Sequence, residues 1–388
     1  MIYLDNNSTT PVLPEVLEAM LPCFSESFGN PSSIHACGRI ALAHLKEARG
    51  LVASLLGCDL AEIVFTSGGT EGDNLALKGI MNPGDHLIVS SVEHSAIRST
   101  CAWLEKQGCE VTRVNVNGSG QVEPDTVRAA LRANTRLISV MMANNETGVL
   151  QPIEEIGRIA AEADVWFHTD AVQAAGKAPI SVAKIGCDLL TISAHKIHGP
   201  LGVGALYVRR GTPLRAQLHG GQQERRRRPG TENVPGIAGL GKASQIALAG
   251  LTDGSMDQLA AQRDRLEDTI VSLVPETRVN GKGAPRVPNT SNILFERVGG
   301  DALVMALDEL GIAASRGAAC MSAETDPSSV LMAMGLTGEQ SRSSLRFSLG
   351  KQNTAEEIQT AIEVIPKAVR KLRQKSAAFW SAKQTAAD

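Results

Sequence analysis

Short apolar runs alternate with helix-like segments between about residue 60 and residue 210. The runs are EIVFTS (62–67), HLIVSS (86–91), EVTRVNV (110–116), RLISVMMA (136–143), VWFHTD (165–170), DLLTIS (188–193) and GALYVR (204–209). One intervening helix is predicted over PIEEIGRIAAEA (152–163), which has Pro152 near its start. This alternation is typical of a mainly parallel sheet with helices on both faces. The chain is therefore predicted to be an α/β protein built on a seven-stranded sheet.

The pattern changes after about residue 250. MDQLAAQRDRLEDTIVSLV and TAEEIQTAIEVIPKAVRKLRQK are predicted helices, and TSNILFE and SLRFSLG are predicted strands. With 388 residues, 43% of them hydrophobic, the chain is long enough for more than one core. We expect a large domain over 14–250 and a smaller α+β domain formed by 1–13 and 251–388.

Composition excludes several classes of protein. The net charge of -3 does not favour nucleic acid or an anionic membrane as a partner. No apolar run approaches the about 20 residues that span a bilayer, and the start, MIYLDNNSTTP, does not resemble a signal peptide. The seven cysteines form no C-x-x-C pair, which argues against a disulfide framework or zinc ribbon. We expect a soluble, cytoplasmic protein.

Polar residues and glycines collect at the carboxyl ends of five predicted strands, in TSGGTEGDN, SSVEHSA, ANNETG, HTDAVQ and SAHK. Ligands of open α/β sheets bind outside these ends. Five such clusters therefore predict one shared pocket.

Lys196 is the first residue of interest in that pocket. Taken alone it is better explained as a structural cation, but Asp170 ends the strand 26 residues earlier and Gln173 follows it closely. A pyridoxal phosphate site needs a lysine that bonds the cofactor and a carboxylate that keeps its ring nitrogen protonated. The turn through Gly68, Gly69 and Thr70 into a helix offers free amides for the phosphate.

Histidines near these residues have two interpretations. We place His94 over the cofactor ring, although a strand-end histidine is often only a satisfied surface group. His195, His198 and His168 would suggest a metal site instead, but no carboxylate completes the set, so no metal is expected. The glycine turn alone is weak evidence for a phosphate-binding site, and Ser193 and His195 at a nearby strand end make that prediction stronger.

Nine stretches resemble one known family. They are YLDNNSTTP, GNPSSIH, FTSGGTEGDNLALKG, SSVEHSAI, NNETGVLQPI, FHTDAVQAAGK, SAHKIHGP, RPGTENVPGIAGLGKA and LRFSLGK, spread over about residues 2–350. In order and spacing they resemble NifS/IscS-type cysteine desulfurases of the class V aminotransferase family. The resemblance implies a fold-type-I pyridoxal phosphate enzyme that converts L-cysteine to L-alanine.

The resemblance also implies a role for each matching residue. Lys196 would carry the cofactor, and His94 would stack on its ring and move protons. Asn145 and Arg346 would hold the substrate carboxylate, for which a guanidinium fork is well shaped. The remaining cofactor contacts would be Asp170 to the ring nitrogen, Gln173 to the phenolic oxygen, Gly69, Thr70, Ser193 and His195 to the phosphate, and Thr231 to the phosphate of the other subunit of a homodimer.

Cys320 is the expected sulfur acceptor. It lies in ASRGAACMSAETDPSS, a polar stretch that reads as an exposed loop where a thiol can react. By resemblance it would take sulfur as a persulfide and donate it to an acceptor or scaffold protein for iron–sulfur cluster assembly or another thiolation pathway. It could also bind a cluster transiently. The other six cysteines are better explained as structural.

Four positions depart from the family pattern. Arg316 replaces a serine and could favour the Cys320 thiolate, Met321 follows that cysteine, Leu201 replaces a lysine, and Arg226 stands where glycine is common. The run QERRRR (223–228) could signal nucleic acid, but no aromatic residues interleave, so a loop near the dimer interface is favoured.

Two rival functions remain open from the sequence alone. One is another fold-type-I enzyme, such as an aminotransferase, a selenocysteine lyase or a cysteine lyase. The other is a binding module that keeps the fold without catalysis.

Overall fold

A computed structural model describes residues 1–317 and 326–385. The strands are β1 Ile2–Tyr3, β2 Ile63–Thr66, β3 His86–Ser90, β4 Glu110–Val114, β5 Thr135–Ser139, β6 Trp166–Asp170, β7 Leu189–Ser193, β8 Gly204–Val208, β9 Thr277–Asn280, β10 Thr290–Phe295, β11 Ile312–Ala313 and β12 Ser344–Ser348.

The helices are α1 Pro14–Met20, α2 Pro22–Ser25, α3 Ala36–Leu56, α4 Gly69–Ile80, α5 Ser95–Lys106, α6 Pro124–Ala130, α7 Ile153–Glu162, α8 Val182–Ile185, α9 Val234–Gly250, α10 Ser255–Leu273, α11 Gly300–Asp308, α12 Ser329–Ala333, α13 Gly338–Arg342 and α14 Ala355–Thr385. In the described part of the chain, no helix combines the length and apolar character needed to cross a membrane.

The central sheet has seven strands in the order β2-β8-β7-β6-β5-β3-β4. Strand β8 runs antiparallel to both neighbours, and the other pairs are parallel. Each of the seven predicted strands is present within a few residues of its predicted bounds. The predicted α/β fold with a mainly parallel seven-stranded sheet is confirmed.

Helices cover both faces of this sheet, which explains why its strands read as apolar runs. Along β3, Leu87 and Val89 pack into one core, while Ile88 packs into another. The first core receives residues of α4 and α5, and the second receives residues of α3, α7 and α9. Because both faces are buried, inner strands such as β3, β7 and β8 carry apolar residues at successive positions instead of alternate ones, whereas the edge strand β4 is only partly buried.

A separate core forms from the carboxyl-terminal elements. A three-stranded antiparallel sheet in the order β12-β10-β9 packs with α10, α11 and α14. The amino-terminal segment joins this unit, because β1 pairs with β11 and Leu4 lies in the same core. Val287, however, packs into the core of the large sheet. The domain boundaries given above remain a prediction.

Candidate active site

One cavity opens at the carboxyl ends of the central strands, where the polar clusters were expected to meet. It is lined by most of the predicted site residues, namely Gly69, Thr70, His94, Asn145, Asp170, Gln173, Ser193, His195, Lys196 and Arg346. Parallel strands place their carboxyl ends at one edge of the sheet, so segments distant in sequence meet there.

The turn between β2 and α4 forms an anion cradle. Gly68 has φ +153°, a conformation that other residues rarely adopt, and a Cβ added at Gly69 would lie 2.9 Å from Val172 Cγ2. A Cβ added at Gly68 would lie 3.7 Å from the hydroxyl of Ser193. No described side chain caps the start of α4. The first backbone N–H groups of α4 are therefore free to donate to a ligand. Together with the nearby Ser193 hydroxyl, they form a position suited to phosphate.

Lys196 ends a short helical turn, Ala194–Lys196, directly after β7. Its Nζ donates hydrogen bonds to the backbone carbonyls of Asn7 at 2.6 Å and Ser8 at 2.7 Å. The preceding His195 forms a hydrogen bond with Thr9 Oγ1 at 3.2 Å. Burial lowers the pKa of His195 to about 4, so the ring is neutral near pH 7. The amino-terminal segment thus packs against both side chains.

Asp170 ends β6 and lies almost fully buried in the cavity floor. Its Oδ1 accepts a hydrogen bond from the backbone N–H of Val172 at 2.8 Å. Burial raises its pKa above the usual range for aspartate. A buried carboxylate gains most from a cationic N–H partner, and a protonated pyridine nitrogen is one such partner.

His94 is the N-cap residue of α5. Its Nδ1 accepts a hydrogen bond from the Ala96 N–H at 3.2 Å. Burial, with a contribution from Lys196, lowers its pKa to about 4, so the ring is neutral near pH 7. Because Nδ1 is the acceptor, the proton of the neutral ring lies on Nε2. His94 therefore presents an N–H donor at neutral pH.

Arg346, in the middle of β12, is 2% exposed. Its Nη1 donates to the Asn145 carbonyl at 2.9 Å, and its Nη2 donates to Asp5 Oδ1 at 2.6 Å and Ser8 Oγ at 2.7 Å. Its Nε has no hydrogen-bond partner among the described residues. The guanidinium already pairs with Asp5, so a substrate carboxylate would share it with, or take it from, that residue.

Gln173 and Asn7 connect the cavity floor to a second lysine. Gln173 Nε2 donates to the Asn7 carbonyl at 2.9 Å, and Gln173 Oε1 accepts from Lys177 Nζ at 2.8 Å. Burial, with the nearby cation Lys196, lowers the pKa of Lys177 to about 7.

Comparison with known proteins identifies the family. The model of the family described as aminotransferase class-V matches residues 2–360. The chain belongs to this family. It is 50% identical over 379 residues to the cysteine desulfurase IscS of Methanosarcina thermophila, covering 97% of this chain and 93% of that protein. It is 49% identical over 376 residues to a cysteine desulfurase of Trichormus azollae, covering 96% and 94% of the two chains.

Solved structures agree with these sequence relatives. A NifS-like protein superposes with a TM-score of 0.89 at 36% identity, covering 96% of this chain and 100% of the other. The structure described as SspA in complex with cysteine gives a TM-score of 0.81 at 38% identity, covering 91% and 100%. The predicted resemblance to NifS/IscS-type cysteine desulfurases is confirmed, and the rival enzyme classes are not favoured.

One predicted site residue that the structure describes, Thr231, does not line the cavity. Thr231 is exposed, in the loop that follows the turn Gln223–Arg226. Its predicted role requires a second subunit, so it remains a prediction. Cys320 and Met321 lie outside the described residues.

The other departures from the family pattern have definite surroundings. Arg316 pairs with both oxygens of Asp301, at 2.9 and 2.8 Å, so part of its charge is already neutralised. Leu201 is 70% exposed. Arg226 has φ 65°, the left-handed conformation that glycine favours, which explains why glycine is common at this position.

Three buried carboxyl groups of the cavity, those of Asp73, Glu93 and Glu146, were missed from the sequence, and the first two lie near Asp170. Asp73 and Glu93 line the cavity, and burial raises the pKa of both, that of Glu93 to about 8. Glu93 Oε1 accepts hydrogen bonds from Ser90 Oγ at 2.5 Å and the Met141 N–H at 2.9 Å. Asp73 and Glu93 lie inside the motifs TSGGTEGDN and SSVEHSA, so their positions at strand ends already indicated that they could belong to the pocket. What the sequence did not reveal was their burial beside Asp170.

Proposed function

We propose that this chain binds pyridoxal phosphate at Lys196 and, as a cysteine desulfurase, converts L-cysteine to L-alanine with Cys320 as the first sulfur acceptor. One observation carries the proposal. A single cavity combines a lysine amine, a buried carboxyl group and an uncapped helix start, which are the three groups this cofactor requires.

The residues present fit the cofactor. The amides of Gly69 and Thr70 and the Ser193 hydroxyl would hold its phosphate, in a space that a Cβ at Gly69 would narrow. Asp170 would pair with the ring nitrogen, and Gln173 would donate to the phenolic oxygen. When bound, the cofactor supplies a sink for the electrons released at the substrate Cα.

The substrate is held and deprotonated by groups of the chain itself. Arg346 and Asn145 would bind its carboxylate. Lys196 lines the cavity and would take the Cα proton, and the Asn7 and Ser8 carbonyls would accept hydrogen bonds from its ammonium. His94 is an additional proton carrier through Nε2.

Sulfur transfer is assigned to Cys320. Its thiolate would form a sulfur–sulfur bond with the substrate sulfur as the carbon–sulfur bond breaks. The electron pair of the broken bond remains with the three-carbon fragment, which takes up protons and leaves as alanine. Cys320 is left as a persulfide, which a sulfur-acceptor or iron–sulfur scaffold protein would receive.

A homodimer is part of the proposal. Thr231 is exposed in one chain, and it would complete the phosphate site of the partner subunit. Large apolar side chains are also exposed around α1, α2 and the segment before α3, among them Leu21, Phe24, Phe28 and Ile34. Exposed large apolar side chains of this kind fit a protein interface. The cytoplasmic location and the identity of the acceptor remain predictions.

The test supplies the purified protein with pyridoxal phosphate, L-cysteine and a reductant, and measures alanine. Mass spectrometry before reduction should find one extra sulfur on Cys320. Cys320→Ala should keep the cofactor absorbance and lose sulfur transfer, while Cys37→Ala, which removes an exposed thiol, should behave as wild type. Absence of alanine would contradict the desulfurase assignment. Undiminished transfer in Cys320→Ala would contradict the role of that thiol.

A further inference from the structure

Lys177 is a second lysine beside the proposed cofactor site. Its Nζ donates to Gln173 Oε1 at 2.8 Å and to Asn7 Oδ1 at 3.3 Å. It lies in the turn after β6, four residues beyond Gln173. Lys177 does not line the cavity that holds Asp170 and Lys196, so any effect on a ligand there must pass through its neighbours.

The contacts of Gln173 determine which way its amide points. The Asn7 carbonyl can only accept, and it faces the amide nitrogen of Gln173 at 2.9 Å. In its protonated form Lys177 can only donate, and its Nζ faces the amide oxygen. Rotating the amide by 180° would place oxygen against oxygen and N–H against ammonium. Both neighbours therefore select the same orientation.

This orientation has a chemical consequence in the cavity. The amide nitrogen carries two hydrogens, and one of them is directed to Asn7. Gln173 also lines the cavity, so its second N–H is the group that can donate to a ligand oxygen. A flipped amide would present an oxygen, which would repel a negatively charged phenolic oxygen.

Asn7 links the two lysines. Its carbonyl accepts from both Lys196 Nζ and Gln173 Nε2, and its side-chain oxygen accepts from both Lys177 Nζ and Asn289 Nδ2. Removing the Lys177 amine would leave the buried Gln173 oxygen without its donor. A buried polar group that loses its partner reorients to find another one.

We propose that Lys177 is a positioning residue, which fixes the Gln173 amide so that its N–H donates to the phenolic oxygen of the bound cofactor. This inference rests on the proposed function. Lys177 acts through Gln173 and does not itself contact the cofactor.

The test compares cofactor-loaded wild type with Lys177→Met, Gln173→Ala and the double variant, by titrating the visible absorbance of the bound cofactor with pH. The Gln173 hydrogen bond would stabilise negative charge on the phenolic oxygen of the cofactor. Its loss would make the proton held beside that oxygen harder to remove, which raises the pH at the midpoint of the absorbance titration. Lys177→Met should raise the midpoint by about one pH unit, the effect of losing one hydrogen bond to a charged group. The double variant should shift no further than Gln173→Ala.

Two controls separate positioning from general damage. Lys184→Met, at an exposed site on α8, should stay within about 0.2 pH unit of wild type. Lys177→Arg keeps an N–H donor at this position, and a small cavity lined by Lys177 gives room for the larger side chain. This variant should therefore keep most of the wild-type midpoint. An unchanged midpoint in Lys177→Met, additive shifts in the double variant, or no rescue by arginine would overturn the inference. A wild-type protein that binds no cofactor would instead overturn the proposed function.

Discussion

The turn Gln223–Arg226 is held by a buried ion pair, and its removal gives a quantitative test of the fold around the predicted dimer loop. Glu224 Oε1 and Oε2 accept from Arg49 Nη2 at 2.6 Å and Nη1 at 2.8 Å, and Oε2 also accepts from the Phe65 N–H at 3.0 Å. Arg49 additionally donates to the Ile63 carbonyl. We consider Glu224→Gln, which keeps the shape of the side chain and removes its charge.

The expected cost follows from burial. The Arg49 and Glu224 side chains are 8% and 2% exposed, and breaking a buried pair on one side costs about 3–5 kcal/mol. Glu224, Arg225 and Arg226 all have left-handed backbones, with φ of 47°, 57° and 65°. Each left-handed residue costs about 1–2 kcal/mol of backbone strain, and part of that strain would be relieved if the turn relaxed in the variant. We therefore expect a loss near the low end, about 3 kcal/mol.

The assay is urea unfolding at one fixed protein concentration, because a dimer unfolds in a concentration-dependent way. Glu162→Gln is the matched control, since Glu162 pairs with Arg128 at the same 2.8 Å but the two side chains are 58% and 52% exposed. That change should cost less than about 1 kcal/mol. Adding Arg49→Met to Glu224→Gln should recover part of the loss. Equal costs for the buried and exposed pairs would refute the reasoning.

Two further predictions concern the cavity and the sheet beneath it. Gly69→Ala places a Cβ 2.9 Å from Val172 Cγ2 at the anion cradle, so equilibrium dialysis should find pyridoxal phosphate bound about tenfold more weakly, while an unchanged affinity would remove the cradle from the account. Burial lowers the pKa of His168 to about 3, so as the pH falls below 6.5 the imidazole binds a proton in the unfolded chain but not in the folded one. The free energy of unfolding therefore decreases as the pH falls. Between pH 8 and pH 5.5 that group should cost about 1.4 kcal/mol in urea unfolding, and a His168→Asn variant with the same pH slope as wild type would contradict this.

The sequence predicted the central sheet well because its strands are buried on both faces. Such strands are continuous apolar runs bounded by polar clusters, and β3 and β7 show this most clearly. The two-residue strands β1 and β11 were not predicted, because so short a pairing leaves no periodicity. Their pairing depends on chain segments about 310 residues apart, which only the folded protein brings together.

The candidate site divides in the same way. Lys196, Asp170 and the glycine turn stand at strand ends, where position along the chain already indicates a pocket. The contacts of Asn7 with Lys177 and Lys196, and the pairing of Asp5 with Arg346, connect the amino-terminal segment to residues 170 to 341 positions away. No local pattern encodes those contacts, because they arise when the amino-terminal segment packs across the cavity.

The most direct test of the account is the covalent state of Lys196. The protein would be loaded with pyridoxal phosphate, reduced with borohydride, digested and examined by mass spectrometry, with a Lys196→Ala variant treated in parallel. The account predicts that the peptide containing Lys196 carries the reduced cofactor and that the variant carries none on any lysine. A Lys196 peptide at its ordinary mass, after confirmed exposure to the cofactor, would contradict it.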